Sequence, residues 1–496
     1  MTDRLRRMAL TSLALAALCG CTVGPRYQAP TPDAPADWAA LGAAPAAGVS
    51  AQPIQDAAWW KSFGDPELTS LVERALAANL AAKQAVLRIE EARNQRRVAA
   101  AGAFPTIDAT GAYEGTRISE RTATSSVFTA LSGQKSALPP GVAASIPGLA
   151  NPFEQFQYGL TGSWEVDLFG RVRRGVEAAD ADTAAAVADR DAVRVSLMAE
   201  VASAYIDLRG AEARKQVSEE SVATSTQLLK LTTDARAAGL GNDLDIASAR
   251  AALATAQAAL APLQTEIAAD KSQLELLLAA KPGALDPELS GEGAIPPAPP
   301  QTPIGVPSEL ARRRPDIRAA EAALHAAVAR QGVAVANLYP SLTINLAAGL
   351  EASNPAALTD WAARYFAAGP ALDLPVFDAG VRHANVRIAD ARAKEAALAY
   401  AQTVLTALHE VDDSIVAYGE EQSRRDELRR ALADSRAALG LAETRYRTGS
   451  VSFRDVLDAE DRLQSAELAL AASTTAASED LVTLYKSLGG GWAAAT

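Results

Sequence analysis

The sequence predicts an α+β membrane protein with two internal repeats, each supplying long coiled-coil helices and two β-strands. Three observations lead to this prediction: alanine dominates the composition, apolar residues recur at coiled-coil spacing, and four segments alternate apolar with polar residues. Alanine is the strongest helix former, and its small side chain lets neighbouring helices pack closely. The formal net charge of −12 argues against a nucleic-acid partner, because no basic surface is evident that would neutralise phosphates.

The repeats emerge when the sequence is shifted against itself. A shift of 210 positions aligns two helical stretches, and a shift of 235 positions aligns the ends of the helices that precede the strands. The matched pairs include Glu200-Val201 with Glu410-Val411, Gly239 with Gly449, Asp245 with Asp455, and Phe104-Pro105 with Tyr339-Pro340. A Pro-rich linker, Ile295 to Pro307, joins the two halves.

Apolar residues on the predicted helices recur at alternating spacings of three and four, which is typical of coiled coils. They are Met198, Val201, Tyr205 and Leu208 in the first half, Leu253, Leu260, Leu263, Ile267, Leu274 and Leu277 after the first turn, and Val404, Leu408, Val411, Ile415 and Tyr418 in the second half. No proline lies between Arg171 and Ala237, so this stretch can form one helix of roughly 100 Å.

Four segments change to the period of two that is expected of β-strands. In Phe156 to Val166 and in Leu342 to Leu350, apolar residues occupy one face and polar or small residues the other. Ile107 to Glu114 follows the same pattern, and a fourth segment, Ala371 to Val376, is weaker because prolines interrupt it. Such strands are typical of a membrane β-barrel with a wet interior, although a half-buried soluble sheet alternates in the same way.

The number of strands predicts the oligomeric state. Four strands cannot close a barrel, and open strand edges are not tolerated in lipid. Eight strands from two chains would enclose an interior filled by side chains, whereas twelve strands from three chains leave an open interior. We therefore expect a homotrimer.

These patterns divide the chain into consecutive segments. They are a signal segment at 1–20, an extended N-terminal segment at 21–64, a first repeat at 65–285, a linker at 286–307, a second repeat at 308–490 and a tail at 491–496. Within the repeats we expect strands near 104–118, 153–168, 340–351 and 365–377, long helices at 171–237 and 379–447, and further helices at 243–280 and 453–488.

The first twenty residues have the pattern of a secretory signal. A positively charged start precedes an apolar stretch, Met8 to Leu18, that is too short to span a membrane as a mature helix. The letters LCGC that follow at 18–21 resemble the lipobox of bacterial lipoproteins. This resemblance implies cleavage before Cys21 and a covalent lipid on it; the alternative is an ordinary secretory signal that ends near cysteines.

Four blocks of residues occur in order along the rest of the chain. They are Val23-Gly24-Pro25-Arg26-Tyr27-Gln28-Ala29-Pro30, Trp60-Lys61-Ser62-Phe63-Gly64-Asp65-Pro66-Glu67-Leu68, Arg312-Arg313-Arg314-Pro315-Asp316-Ile317-Arg318-Ala319-Ala320-Glu321, and Arg445-Tyr446-Arg447-Thr448-Gly449 with Asp455-Val456-Leu457-Asp458-Ala459. Together they resemble the TolC-like outer-membrane factors, and specifically their lipoprotein branch, the NodT family.

The resemblance implies a twelve-stranded barrel in the outer membrane that continues into a long α-helical coiled-coil barrel in the periplasm. It also implies an efflux channel that passively conducts small molecules, such as drugs or other toxic compounds, to the exterior. The implied partners are a periplasmic adaptor, an inner-membrane transporter of the resistance-nodulation-division class, and outer-membrane lipid. Two alternatives stay open: the channel of a type I protein secretion system, and a structural coiled-coil lipoprotein without a channel.

The resemblance also assigns Asp455 and Asp458 to an acidic ring at the periplasmic entrance, where like charges from three chains would raise the pKa values of these carboxyls. For Asp455 the alternative is a capping box with Ser452. Tyr446 matches a tyrosine that helps to hold the entrance closed, and the alternative is packing in the core. Val451 stands near where some relatives carry the arginine partner of this tyrosine, and Arg445, Arg447 or Arg454 could take the place of that partner.

Gly239 and Gly449 follow the two long helices, and we expect each to supply a left-handed C-cap that lets the chain reverse. The resemblance adds docking of the adaptor at these hairpin tips. The three histidines stand on helices without a metal-ligand neighbour, and no catalytic motif is present. We therefore expect no enzyme activity, no metal site and no cofactor other than lipid on Cys21.

Overall fold

The computed structural model describes residues 22–31, 34–43, 48–50, 52, 58–117, 119, 153–239, 241–291 and 293–490. The expected signal segment, Cys21 and the tail at 491–496 lie outside the described residues. The chain forms two compact units, and each unit takes segments from both halves of the sequence. Unit 1 comprises Met1–Gln28, Arg93–Ala181 and His325–Lys394, and unit 2 comprises Ala29–Ala92, Asp182–Leu324 and Glu395–Thr496.

Helices make up most of the described chain. In order they are α1 (Ala39–Ala43), α2 (Pro66–Ala78), α3 (Leu80–Ala101), α4 (Arg171–Ala237), α5 (Asp243–Ala258), α6 (Leu260–Leu277), α7 (Pro307–Arg313), α8 (Pro315–Ala336), α9 (Val381–Arg447) and α10 (Phe453–Ser487). The strands are β1 (Val49–Ser50), β2 (Thr106–Thr116), β3 (Phe153–Val166), β4 (Thr302–Pro303), β5 (Ser341–Ala352) and β6 (Arg364–Asp373). Of the helices described, not one combines the length and the apolar character that crossing a membrane requires.

The long helices α4 and α9 each contain 67 residues, and both of their ends are offset by the same 210 positions. Neither sequence contains a proline, so nothing interrupts the backbone hydrogen bonds. The apolar residues at coiled-coil spacing are buried within unit 2, as Met198 and Leu208 of α4 and Ile415 and Tyr418 of α9 illustrate. The three-four spacing therefore marks the face of each helix that packs in this unit.

Unit 1 contains a four-stranded antiparallel sheet with the order β2-β3-β5-β6. Trp164 pairs with Ile344, whereas Ser163 pairs with Asn345. Because side chains alternate along each strand, this register places most of the large apolar residues on one face and most of the polar or small residues on the other. We call these the apolar face and the polar face. β6 ends at Asp373, earlier than expected.

Two expectations about local structure were wrong. The helix expected at 243–280 is two helices, α5 and α6, because Pro262 has no N–H to donate to the carbonyl of Ala258. The N-terminal segment is not simply extended: it contains α1 and a 3₁₀-helix at Trp59–Phe63. Its strand β1 also pairs in parallel with β4, which lies in the Pro-rich linker.

The run Arg312-Arg313-Arg314 contains a buried cation, Arg314. Arg314 lies between α7 and α8, where the following proline disfavours a helical conformation. Its guanidinium forms ion pairs with Asp316 and with Glu410 of α9, both at 2.6 Å, and donates to the carbonyl of Ser487 at 3.0 Å. One side chain thus connects α8, α9 and the end of α10.

We predict that Arg314→Ala lowers the free energy of unfolding by about 2 kcal/mol, because the carbonyl of Ser487 and two partly exposed carboxylates lose the buried cation that they share. The matched control is Arg312→Ala, two residues earlier, whose side chain is exposed and whose loss is expected to change little. Urea unfolding in detergent, followed by helical circular dichroism, measures both. Equal effects of the two substitutions would contradict the role given to Arg314.

Candidate functional site

The hairpin of α9 and α10 contains four of the predicted site residues: Tyr446 near the end of α9, Gly449 in the turn, and Asp455 and Asp458 at the start of α10. This glycine has a φ of 69°, its N–H donates to the carbonyl of Tyr446 at 2.9 Å, and the N–H of Ser450 donates to the carbonyl of Arg445 at 2.9 Å. These two bonds define the Schellman motif, in which a residue without Cβ reverses the chain at the helix end.

The turn between α4 and α5 shares the left-handed glycine and the hydrogen bond that its N–H donates. Gly239 has a φ of 79°, and its N–H donates to the carbonyl of Arg236 at 3.0 Å. Asn242 caps α5, because its side-chain oxygen accepts from the N–H of Asp245 at 2.9 Å. A Cβ placed on either Gly239 or Gly449 would meet no atom within 4 Å. Both tips therefore have open space beside the backbone of this chain.

Asp455 caps the helix that follows the second turn. Its carboxylate accepts from the N–H of Ser452 at 2.8 Å and from the hydroxyl of Ser452 at 2.6 Å. These bonds lower the pKa of Asp455, which is the opposite of the increase expected for a ring of like charges. The carboxylate of this single chain is stabilised by its cap, whereas repulsion between copies requires other chains. Asp458, one turn further, is exposed and takes no part in this cap.

Tyr446 packs in the core between the two hairpins. Its ring lies 5.6 Å from the ring of Phe453, centre to centre. Burial and the nearby charge of Asp245 raise the pKa of Tyr446. Asp245 was not foreseen as a neighbour of Tyr446, although the shift of 210 positions already aligned it with Asp455. In this single chain, Tyr446 therefore takes part in packing, which is the alternative to a contact that closes the entrance.

A cluster of apolar side chains joins the two hairpins inside unit 2. Its buried members are Leu228, Ala249, Leu439, Phe453, Val456 and Ala459. Beside it, the buried Glu460 accepts a hydrogen bond from the hydroxyl of Ser225 at 3.1 Å, and burial raises the pKa of Glu460. The positions of the two turns are therefore coupled through packing, so a change at one hairpin affects the other.

A second group of carboxyls, which the sequence patterns did not predict, lies between α4, α6 and α10. Burial, together with a hydrogen bond and the like charge of Asp207, raises the pKa of Glu479 to about 8. Burial and the charges of Asp207 and Glu266 raise the pKa of Asp270 to about 6. Asp207 and Asp270 also line a cavity of about 240 Å³. No local signal could have revealed this group, because its members come from three separate helices.

The apolar face of the sheet in unit 1 is exposed in this chain. Leu160, Leu346 and Phe366 all present large side chains there without cover. Large exposed apolar surfaces of soluble proteins mark contacts with another protein or with lipid. The polar face carries the complementary set of polar and small side chains, so the sheet separates two different environments.

The residues that follow the predicted lipidation site pack against unit 1. The N–H of Val23 donates to the carbonyl of Phe169 at 3.2 Å. A Cβ on Gly24 would lie 2.8 Å from the Cα of Gly332, so only glycine permits this close approach. The ring of Tyr27 stacks on His325 at 4.0 Å. Cys21 itself lies outside the described residues, but the segment beginning at residue 22 has a fixed position in unit 1.

Known proteins share the sequence pattern and the fold of this chain. The chain matches the model of the outer membrane efflux protein family over residues 71–280 and 306–490. It is 30% identical to the antibiotic efflux pump outer membrane protein ArpC of Pseudomonas putida, with 99% of this chain and 96% of ArpC covered. It is 29% identical to nodulation protein T of Rhizobium leguminosarum bv. trifolii, with 92% and 91% covered. Among solved structures, it is similar to the outer-membrane channel OprN, with a TM-score of 0.84, 35% identity, and 95% of this chain and 100% of that chain covered.

Within the ranges that the structure describes, no group of three or more histidine, cysteine, aspartate or glutamate side chains is arranged to hold a metal ion.

We predict that Glu479→Gln stabilises the protein at pH 8 by an amount on the order of 2 kcal/mol and has little effect near pH 5. The raised pKa of Glu479 means that the folded chain binds this proton more tightly than the unfolded chain. Its contribution is therefore full below about pH 4.5 and is lost as the pH rises through about 8.

Thermal unfolding of the wild type and the variant, measured from pH 5 to pH 8, provides the test. The control is Glu395→Gln, which neutralises an exposed carboxyl on α9 and is expected to leave the pH dependence unchanged. A pH profile of Glu479→Gln that runs parallel to that of the wild type would show that this carboxyl does not titrate differently on folding.

Proposed function

Because the chain belongs to the outer membrane efflux protein family, we propose that it is the outer-membrane channel of a tripartite efflux pump. In this role it conducts small molecules passively from the periplasm to the exterior. The family provides the transport component of such pumps, and its members act in transport rather than in catalysis. The name of ArpC refers to antibiotics; for this chain we propose the broader class of drugs and other toxic small molecules.

The observation that supports a channel most strongly is the separation of apolar and polar residues on the two faces of the sheet. β2 and β6 each have a single neighbour in the sheet, so each presents one unpaired edge. Unpaired backbone groups are very costly in lipid. We propose that β2 of one chain pairs with β6 of the next, and that three chains close a barrel of twelve strands. Its apolar face would then contact lipid, and its polar face would line the channel.

We propose that Cys21 carries the lipid that anchors the chain to the outer membrane. The lipobox-like letters at 18–21 support this assignment. It is also supported by the packing of Val23, Gly24 and Tyr27 on unit 1, because an ordered segment directly after the cysteine limits where the lipid can insert. The helices of both hairpins would lie in the periplasm.

We propose that the adaptor docks at the turns that contain Gly239 and Gly449, and that an inner-membrane transporter of the resistance-nodulation-division class supplies energy and selects the cargo. The space beside both glycines supports this placement. Tyr446 would act indirectly, by fixing the position of the second turn through its contact with Phe453. Asp458, exposed and outside the cap, is the carboxyl best placed to act on passing ions.

The first prediction from this proposal concerns ion selectivity. The purified trimer is expected to raise the conductance of a planar lipid bilayer, with cations preferred over anions. Asp458→Asn is expected to reduce the cation-to-anion permeability ratio by roughly two- to threefold, because three carboxylates facing one axis raise the local cation concentration. Reversal potentials in a salt gradient measure this ratio.

Asp455→Asn is the contrasting variant, because it disturbs the cap with Ser452 as well as removing a charge. If the Asp458→Asn channel conducts normally and keeps the selectivity of the wild type, the placement of Asp458 at the entrance is wrong. If the purified trimer never raises bilayer conductance, the proposed channel function is wrong. In that case the structural lipoprotein would become the better explanation.

The second prediction concerns docking. Gly449→Trp is expected to reduce crosslinking to the adaptor about tenfold or more, because the indole fills the space that close approach needs. Trimers resistant to heat in detergent should remain. In the variant Gly449→Asn, the asparagine tolerates the left-handed conformation. This variant therefore tests the effect of a smaller side chain while the turn is kept. Gly440→Trp is the control for bulk elsewhere, since Gly440 also has open space but lies in α9 before the turn. Equal loss of crosslinking in both tryptophan variants would contradict docking at the tip.

A further inference from the structure

The polar face of the sheet contains one aromatic residue whose placement the channel proposal does not explain. Tyr365 of β6 lies opposite Gly349, which in turn lies opposite Gly159. Among polar-face positions with described side chains, Tyr365 is the only aromatic residue. Its neighbours two positions along each strand include Ala347, Ala367 and Thr161, which are much smaller.

The tyrosine ring lies on the paired glycines. A Cβ on Gly349 would come within 2.9 Å of a ring carbon of Tyr365, and a Cβ on Gly159 would come within 3.0 Å of its hydroxyl oxygen. The side-chain amide of Gln157 donates to that hydroxyl at 2.9 Å. The glycines thus provide space for the ring, and Gln157 holds its outer end. Covering strand glycines with an aromatic ring is a known means of stabilising sheets, but here it also fixes the ring on the channel-lining face.

The charged residues of the polar face itself are all carboxyls, and one of them, Glu165, is paired with Arg171 at the start of α4. The polar-face positions of β2, β3, β5 and β6 contain no lysine or arginine. They contain the carboxyl residues Asp108, Glu114, Glu165, Glu351 and Asp373. Glu351 lies directly opposite Gln157, so a carboxylate stands beside the residue that anchors the ring. An open cavity of about 470 Å³ begins at Ala367, two positions along β6 from Tyr365, and extends between Asp108, Thr161 and Ala347.

We propose that Tyr365, supported by Gln157 and Glu351, is a contact site for planar aromatic cations as they pass through the channel. The ring offers one free face for stacking and for cation–π attraction, and the carboxylate adds attraction to the positive charge. The cavity of small side chains beside the ring leaves room for a flat molecule. This inference rests on the proposed function, because it requires the polar face to line a conducting path.

The test measures how long a planar aromatic cation stays in single channels in a bilayer. With ethidium as the probe, brief interruptions of the wild-type current are expected. Tyr365→Leu should shorten their mean duration by roughly two- to tenfold, the range that one stacked cation contact supplies. Glu351→Gln should also shorten it, whereas Tyr365→Phe, which keeps the ring, should change it less. Tetraethylammonium, a cation that can use cation–π attraction but cannot stack, should show a smaller shortening in Tyr365→Leu than ethidium does.

The matched control is Phe366→Leu, which makes the same type of change at the next residue of β6 but on the apolar face. It should leave the ethidium interruptions unaltered. Glycine variants are unsuitable, because a Cβ on Gly349 would also lie 2.4 Å from the carbonyl oxygen of Tyr158 and would disturb the strand pairing. If Tyr365→Leu conducts normally and keeps the wild-type interruptions, the contact site is wrong while the channel stands. If the wild type does not conduct, the proposed function fails first.

Discussion

The constraint on which the rest of this structure depends is the backbone hydrogen bonding of a sheet with two unpaired edges. Residues 106–116 and 364–373 form edge strands, and the face that carries Leu160 and Phe366 is apolar and exposed. Water can satisfy such edges in a soluble protein, but lipid cannot. The proposed place of this sheet in a membrane therefore requires that both edges pair with other strands, which the proposed trimer would provide.

Close approach between helices depends on small residues placed where the partner helix needs space. Gly210 lies in the middle of α4, where glycine costs about 1 kcal/mol relative to alanine. A Cβ at this position would come within 2.4 Å of the hydroxyl of Thr475 in α10, so the cost is offset by packing that alanine would prevent. Gly24 and Gly332 use the same principle in unit 1. The many alanines and these single glycines meet the same requirement, which is that helix backbones approach each other closely.

Sequence reasoning succeeded where the determining interactions are local. The absence of proline predicts α4 and α9, and the period of two predicts four strands whose register cannot slip by one residue without exchanging their faces. Gly239, Asn242 and Gly449 act through bonds to residues within a few positions, so their turn chemistry could be predicted. The break at Pro262 was also local and was overlooked. By contrast, the burial of Arg314 and the pKa of Glu479 depend on residues brought together only by folding, and no pattern in the sequence marks them.

Two carboxyls only three positions apart illustrate why spacing alone cannot assign function. Asp455 uses its charge to satisfy the N–H and hydroxyl of Ser452, and these bonds hold its carboxylate against the start of α10. Asp458 lies beyond the first turn of α10, where no backbone N–H needs a cap, and it is exposed. The helix therefore divides the two acids between stabilising the turn and presenting free charge. Family likeness assigns them together, whereas the hydrogen bonds of the chain separate them.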